Sequence, residues 1–159
     1  MDKSKIIRYI VMIVSVLTVG ATAVPCQKIV TQYETRSTVE YIKLMPSLVG
    51  LLVVLLAAGN FALAISTKYK HTIWTSLGCS ATIVIKLFLM LSAVGTVHHE
   101  ANKYDELYEE LGAHNLEVTF DVITRTSVGF YILAGCAVLV IVTGFICFMV
   151  GSLRKTEED

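Results

Sequence analysis

Residues 73–97, IWTSLGCSATIVIKLFLMLSAVGTV, form an apolar run of 25 residues with one charge, Lys86, near its middle. A helix rises 1.5 Å per residue, so a run of about 20 apolar residues crosses a hydrocarbon core of about 30 Å. The run therefore reads as a membrane span. A lysine at mid-span costs roughly 2.5–3.5 kcal/mol on insertion scales, so such residues usually face protein or a cavity. At 100° per residue, Thr75, Cys79, Thr82, Met90, Ala93 and Val97 fall on the Lys86 side, while Leu77, Val84, Phe88, Leu91 and Gly95 fall opposite. The lysine side is small and weakly polar, as helix contacts in lipid are. The expectation is that Lys86 lies inside a bundle.

Three more apolar runs follow the same logic, at residues 6–24, 46–65 and 127–150. Of the 159 residues, 55% are hydrophobic, and 13 basic residues balance 13 acidic ones. One integral membrane domain is expected, an all-α protein built as an antiparallel bundle of four transmembrane helices. No basic patch with interleaved aromatics suggests nucleic acid. Ala21-Thr22-Ala23 matches the small-x-small site of a cleavable signal peptide, but the run before it is longer than a signal core of about 7–15 residues. It is read as a retained first helix. On that helix Ser15, Thr18 and Thr22 share one face. Thr18 is about 12 residues from the inner end and Lys86 about 14, similar depths at 1.5 Å per residue. The hydroxyls of Ser15 and Thr18 are thus the expected solvation for Lys86.

Residues 25–45 form a first outer loop. Pro25 stops the helix, and Ile29, Val30, Thr31, Tyr33, Val39, Tyr41 and Ile42 favour a short hairpin. In the second span Ala58 and Ala62, beside Gly59, predict a small-residue contact surface, and Asn60 reads as a packing residue. The short basic turn at 66–72 makes spans two and three antiparallel neighbours, with Tyr69 and Trp74 at the interface level. Residues 98–126 form a second outer loop. Its acidic, helix-favouring first half predicts that the third helix extends beyond the membrane and ends near Gly112. Leu116, Val118, Phe120 and Val122 alternate with polar residues, which predicts a strand pairing with the first loop in a small extracytoplasmic sheet. The tail after Val150 is expected to be disordered. Lys3, Lys5, Arg8, Lys68, Lys70, Arg154 and Lys155 crowd the short segments of one side, so both termini are expected in the cytoplasm, with the chain in the cell membrane.

Little in the chain reads as chemistry. The cysteines, Cys26, Cys79, Cys136 and Cys147, make no C-x-x-C, against a thiol oxidoreductase. Cys26 alone is near an aqueous face, as a free thiol or a link to another chain. His98, His99, Glu100 and His114 are weak metal candidates, since histidine is the commonest ligand; they lack H-E-x-x-H or Cys/His spacing. No cofactor is assigned. Asp105, Glu106, Glu109 and Glu110 read as a solvated face or as a docking surface for a basic partner. The intramembrane polar candidates are Lys86, Thr82, Cys79, Ser15, Thr18 and Asn60.

The order of spans, with Ser127-Val128-Gly129-Phe130-Tyr131 opening the last one, resembles small uncharacterised bacterial four-helix membrane proteins. More loosely it is similar in topology to claudin-like and tetraspanin-like proteins. The first loop has no tryptophan and one cysteine, and the second has no Cys-Cys-Gly, so no functional residue is carried over. The expectation is a non-enzymatic protein acting through another membrane or extracytoplasmic protein, as accessory, organiser or immunity-type protector, within the bilayer and with homo-oligomers open. The alternative is an oligomeric channel or small-solute transporter with Lys86 on its path.

Overall fold

The structure, a computed structural model, describes residues 3–33, 36–100 and 119–158, with side chains for 5–32, 37–95 and 121–152. Helix α1 (Lys3–Thr22) leads into strands β1 (Pro25–Tyr33) and β2 (Arg36–Lys43). Helices α2 (Leu48–Ile65) and α3 (Tyr69–Ser92) follow, then β3 (Gly95–Glu100), β4 (Thr119–Thr126) and helix α4 (Val128–Glu158). Each helix packs on two others, giving a ring in the order α1, α2, α3, α4. The strands form one antiparallel sheet, in the order β2-β1-β4-β3, at the end where α1 and α3 finish. The other end carries the α2–α3 turn; we call these the sheet end and the turn end.

All four helices are long and apolar enough to cross a membrane, yet only 28–39% of each apolar window is buried within the protein. Most of that surface faces outward; Phe88 is 70% exposed and Tyr131 67%. In water such continuous apolar area would drive association, so the fit is to lipid.

The hairpin forms as the β-branched residues of the first loop suggest, and β1 also pairs with β4, Gln27 opposite Thr126 through Gln32 opposite Asp121. Ser47 caps α2, its hydroxyl accepting from the Gly50 N–H at 3.1 Å. Gly129 lets α4 start against the chain at Pro25, whose carbonyl carbon would lie 2.8 Å from a Cβ there.

The third helix is not extended. It starts at Tyr69 and ends at Ser92, and the chain turns into β3 from Gly95. The reason is long-range: β3 pairs with β4, and the Gln27 side chain takes the carbonyl of Met90 in the last turn. The acid-rich segment credited with the extension lies outside the described residues. The tail is helical rather than disordered, α4 continuing to Glu158. On α2 the buried face is Gly50, Val53, Ala57, Asn60 and Ala64. Ala58 and Ala62 are exposed, so the expected small-residue surface is turned away. An amide is costly in hydrocarbon without a partner; orienting Asn60 inward fixes the rotation of α2. Trp74 is 74% exposed, as an interfacial aromatic would be, whereas Tyr69 is buried against Val11, Ala64 and Cys147.

Candidate functional site

Two polar features are built by the fold: a seam between helices in the turn-end half of the bundle, and the sheet. The seam starts from Asn60, 3% exposed on α2. Its side-chain oxygen accepts from the Thr75 hydroxyl and, at 3.2 Å, from the Ser76 hydroxyl, both on α3. Ser76 in turn meets α4 at Gly144, where an added Cβ would lie 2.5 Å from Ser76 Cβ. Asn60, Ser76 and Gly144 thus join three helices at one level. Thr72, fully buried one turn away, has a hydroxyl without a hydrogen-bond partner among the described residues.

Further towards the sheet, Cys79 lies 3.9 Å from the Val53 carbonyl of α2 and beside Cys136 of α4, and Cys136 is within hydrogen-bond reach of Thr18 on α1. Ser15 and Thr18 are buried, but their hydroxyls donate to Val11 and Val14 of their own helix, each at 2.8 Å. Thr82 is half-buried and bonds to Gly78. These hydroxyls do not solvate Lys86, which corrects the expectation from matched depth. A back-bonded hydroxyl is internally satisfied, so the seam is suited to holding helices together.

Lys86 is half-buried at the flank of the buried face of α3, which runs through Thr72, Ser76, Cys79, Ile83, Leu87 and Met90. It lies 17 residues beyond Tyr69 and six before Ser92, so about 9 Å of helix rise separates it from the sheet end. The mid-depth position expected from a span over 73–97 shifts because the helix occupies 69–92. A lysine stem can lie along apolar surface while its ammonium reaches the aqueous boundary; from this depth that boundary is the one at the sheet.

The sheet is tied to the bundle by hydrogen bonds. Gln27 is 4% exposed and its Nε2 donates to Met90 O at 2.8 Å. The Ser127 N–H donates to Cys26 O at 2.9 Å and the Met45 N–H to Thr22 O at 3.0 Å. Cys26 is fully buried beneath these contacts, so its thiol is not presented to another chain. Burial pushes its pKa up, partly offset by a backbone hydrogen bond with Leu44. On the far edge, β2 has no neighbour beyond it in the sheet among the described residues, and residues 37–43 are all exposed.

His98, His99 and Glu100 fall on β3 rather than on a helix, with His98 in register with Asp121. His114 and the acidic docking candidates Asp105, Glu106, Glu109 and Glu110 lie outside the described residues. Sequence reasoning missed Gln27, Thr72 and Ser76, whereas the glycines of the last span, Gly144 among them, are legible as points of close approach. A buried amide on a strand carries no periodic signal, and hydroxyls that bond within a helix look the same in sequence as those that bond between helices. No protein-family model matches the chain, and no curated protein matches it.

Proposed function

We propose that this is a multi-pass membrane protein, with both termini in the cytoplasm, that performs no catalysis and acts by binding another protein at its sheet end. The observation that carries this reading is the open β2 edge, eight residues long, with Val39, Tyr41 and Ile42 exposed by 44%, 57% and 36%. Exposed strand edges present unpaired backbone groups that another chain can pair with, and proteins usually cover or interrupt them. A rigid attachment through Gln27 and Ser127 holds that edge in place above the helices. The orientation follows from Lys5, Arg8, Lys68 and Lys70, which share the turn end with the helical tail.

The test is a photo-crosslinking residue at Tyr41 in native membranes, with the lipid-facing Leu55, 61% exposed, as control. A discrete protein adduct from position 41 and none from position 55 supports the reading. No adduct at 41, together with solute flux in liposomes that Lys86→Met abolishes while assembly stays intact, would replace it with the channel or transporter reading.

A further inference from the structure

Grooves between the helices are lined by apolar or small side chains. A recess at the turn end is not. Thr67, Lys68, Tyr69, Lys70, His71 and Gly151 enclose about 320 Å³ there. We propose that this recess holds the phosphate headgroup of an anionic phospholipid, with an acyl chain lying in the adjoining groove between α3 and α4.

The first support is charge at the right level. The recess sits between the end of α2 at Ile65 and the start of α3 at Tyr69, where the apolar spans stop. Lys68, Lys70 and His71 are exposed, and among the described residues none has an ion-pair partner. Basic pockets at the end of transmembrane helices are where anionic headgroups bind.

The second support is independent and concerns the tail. One turn further along α3, a groove of about 380 Å³ opens between α3 and α4, lined by Ile73, Leu77, Val142 and Phe145 among others. A second groove, of about 480 Å³, continues along the same helix pair and shares Ile141 with it. A basic recess at the turn end and an apolar trough that begins one turn further along the same helix pair match the two parts of a phospholipid, of which free phosphate has one. Gly151 makes the junction: a Cβ there would lie 3.2 Å from Lys70 Cγ and 3.3 Å from Lys70 N, so α4 closes directly on the start of α3.

The single tryptophan, Trp74, stands beside Ile73 and is 74% exposed, which makes it a native reporter. The full chain is reconstituted in phosphatidylcholine vesicles containing chain-brominated phosphatidylglycerol or, at the same fraction, brominated phosphatidylcholine. The expected result is stronger Trp74 quenching by the brominated phosphatidylglycerol. Its relative association constant should fall about fivefold for each lysine removed in Lys68→Gln and Lys70→Gln, while inorganic phosphate in excess does not displace it. Equal quenching by the two lipids in the unmodified protein overturns the proposal, and that arm needs no variant to fold. Selectivity untouched by the double lysine variant, or displaced by inorganic phosphate alone, also overturns it.

Discussion

The side-chain amide of Gln27 donates a 2.8 Å hydrogen bond to the main-chain carbonyl of Met90, so the first strand holds the last turn of the third helix. The two residues are 63 positions apart. The bond is the second one at this carbonyl, which also accepts from the Ala93 N–H at 3.3 Å, and it ties a buried strand side chain to the helix end. Gln27→Ala should cost about 0.5–1.5 kcal/mol, the net worth of one hydrogen bond, because Met90 O keeps its bond from the Ala93 N–H. Unfolding in lipid–detergent micelles reads the loss, and hydrogen exchange should rise in β1 and at the end of α3 together. Exchange confined to β1 would show that the bond is not what couples them.

Gly144 and Gly135 lie on the same helix and should respond oppositely to alanine. At Gly144 the new methyl meets Ser76 at 2.5 Å, so α3 and α4 must separate, at about 1–3 kcal/mol. At Gly135 nothing lies within 4 Å, and better helix propensity should leave stability unchanged or raise it by up to about 1 kcal/mol. Thermal unfolding of the two single variants measures the contrast.

The polar seam offers a second contrast. Asn60→Leu removes the acceptor for Thr75 and Ser76 and should cost about 0.6–2 kcal/mol, the range for hydrogen bonds between helices in lipid. Thr72→Val removes a buried hydroxyl with no partner while keeping the shape, so it should be neutral or stabilise by about 1–2 kcal/mol. A double-variant cycle between Asn60 and Ser76 should show coupling, whereas Asn60 and Thr72 should be additive.

Cys26 gives a pH dependence. Its ordinary value is 9.0 and burial raises it in the fold. The folded state then holds the proton more tightly than the unfolded chain does. The associated stability is complete below pH 9.0 and declines as pH rises through the raised value. Cys26→Ala should lower stability at neutral pH by leaving a cavity, but its difference from the unmodified protein should shrink above pH 9.0. A difference independent of pH up to the limit of folding would show that the thiol does not titrate with unfolding.

Much of the fold is legible in the chain because hydropathy adds up locally. Four apolar runs become four helices, the β-favouring residues around Ile29 and Val39 become a hairpin, and the alternation that reaches Val122 becomes part of a strand. Pro25 ends α1 nearby. The candidate site is less legible. Asn60 and Cys79 stand out as polar or small residues in apolar runs, but the hydroxyls that bridge helices do not differ in sequence from those that fold back, as Thr18 does onto Val14. The rotation of α2 was misread by a residue or two because alanines mark a face only when no amide claims it.

Composition and periodicity by themselves determined that the chain makes four long apolar helices and that strands lie in the loops beyond α1 and α3. These follow from the sum of side-chain transfer energies and from backbone geometry, both set by neighbours in the chain. Of the α3 side expected to face inward, Cys79 and Met90 are buried while Lys86 stands at the flank. The tertiary structure alone decided where α3 stops, hence that Lys86 stands about 9 Å from the sheet end rather than at mid-depth. It also decided that Tyr69 and Cys26 are enclosed. A helix ends where its last carbonyls find other donors and its chain finds another strand, and for α3 those partners, Gln27 and β4, come from distant parts of the sequence.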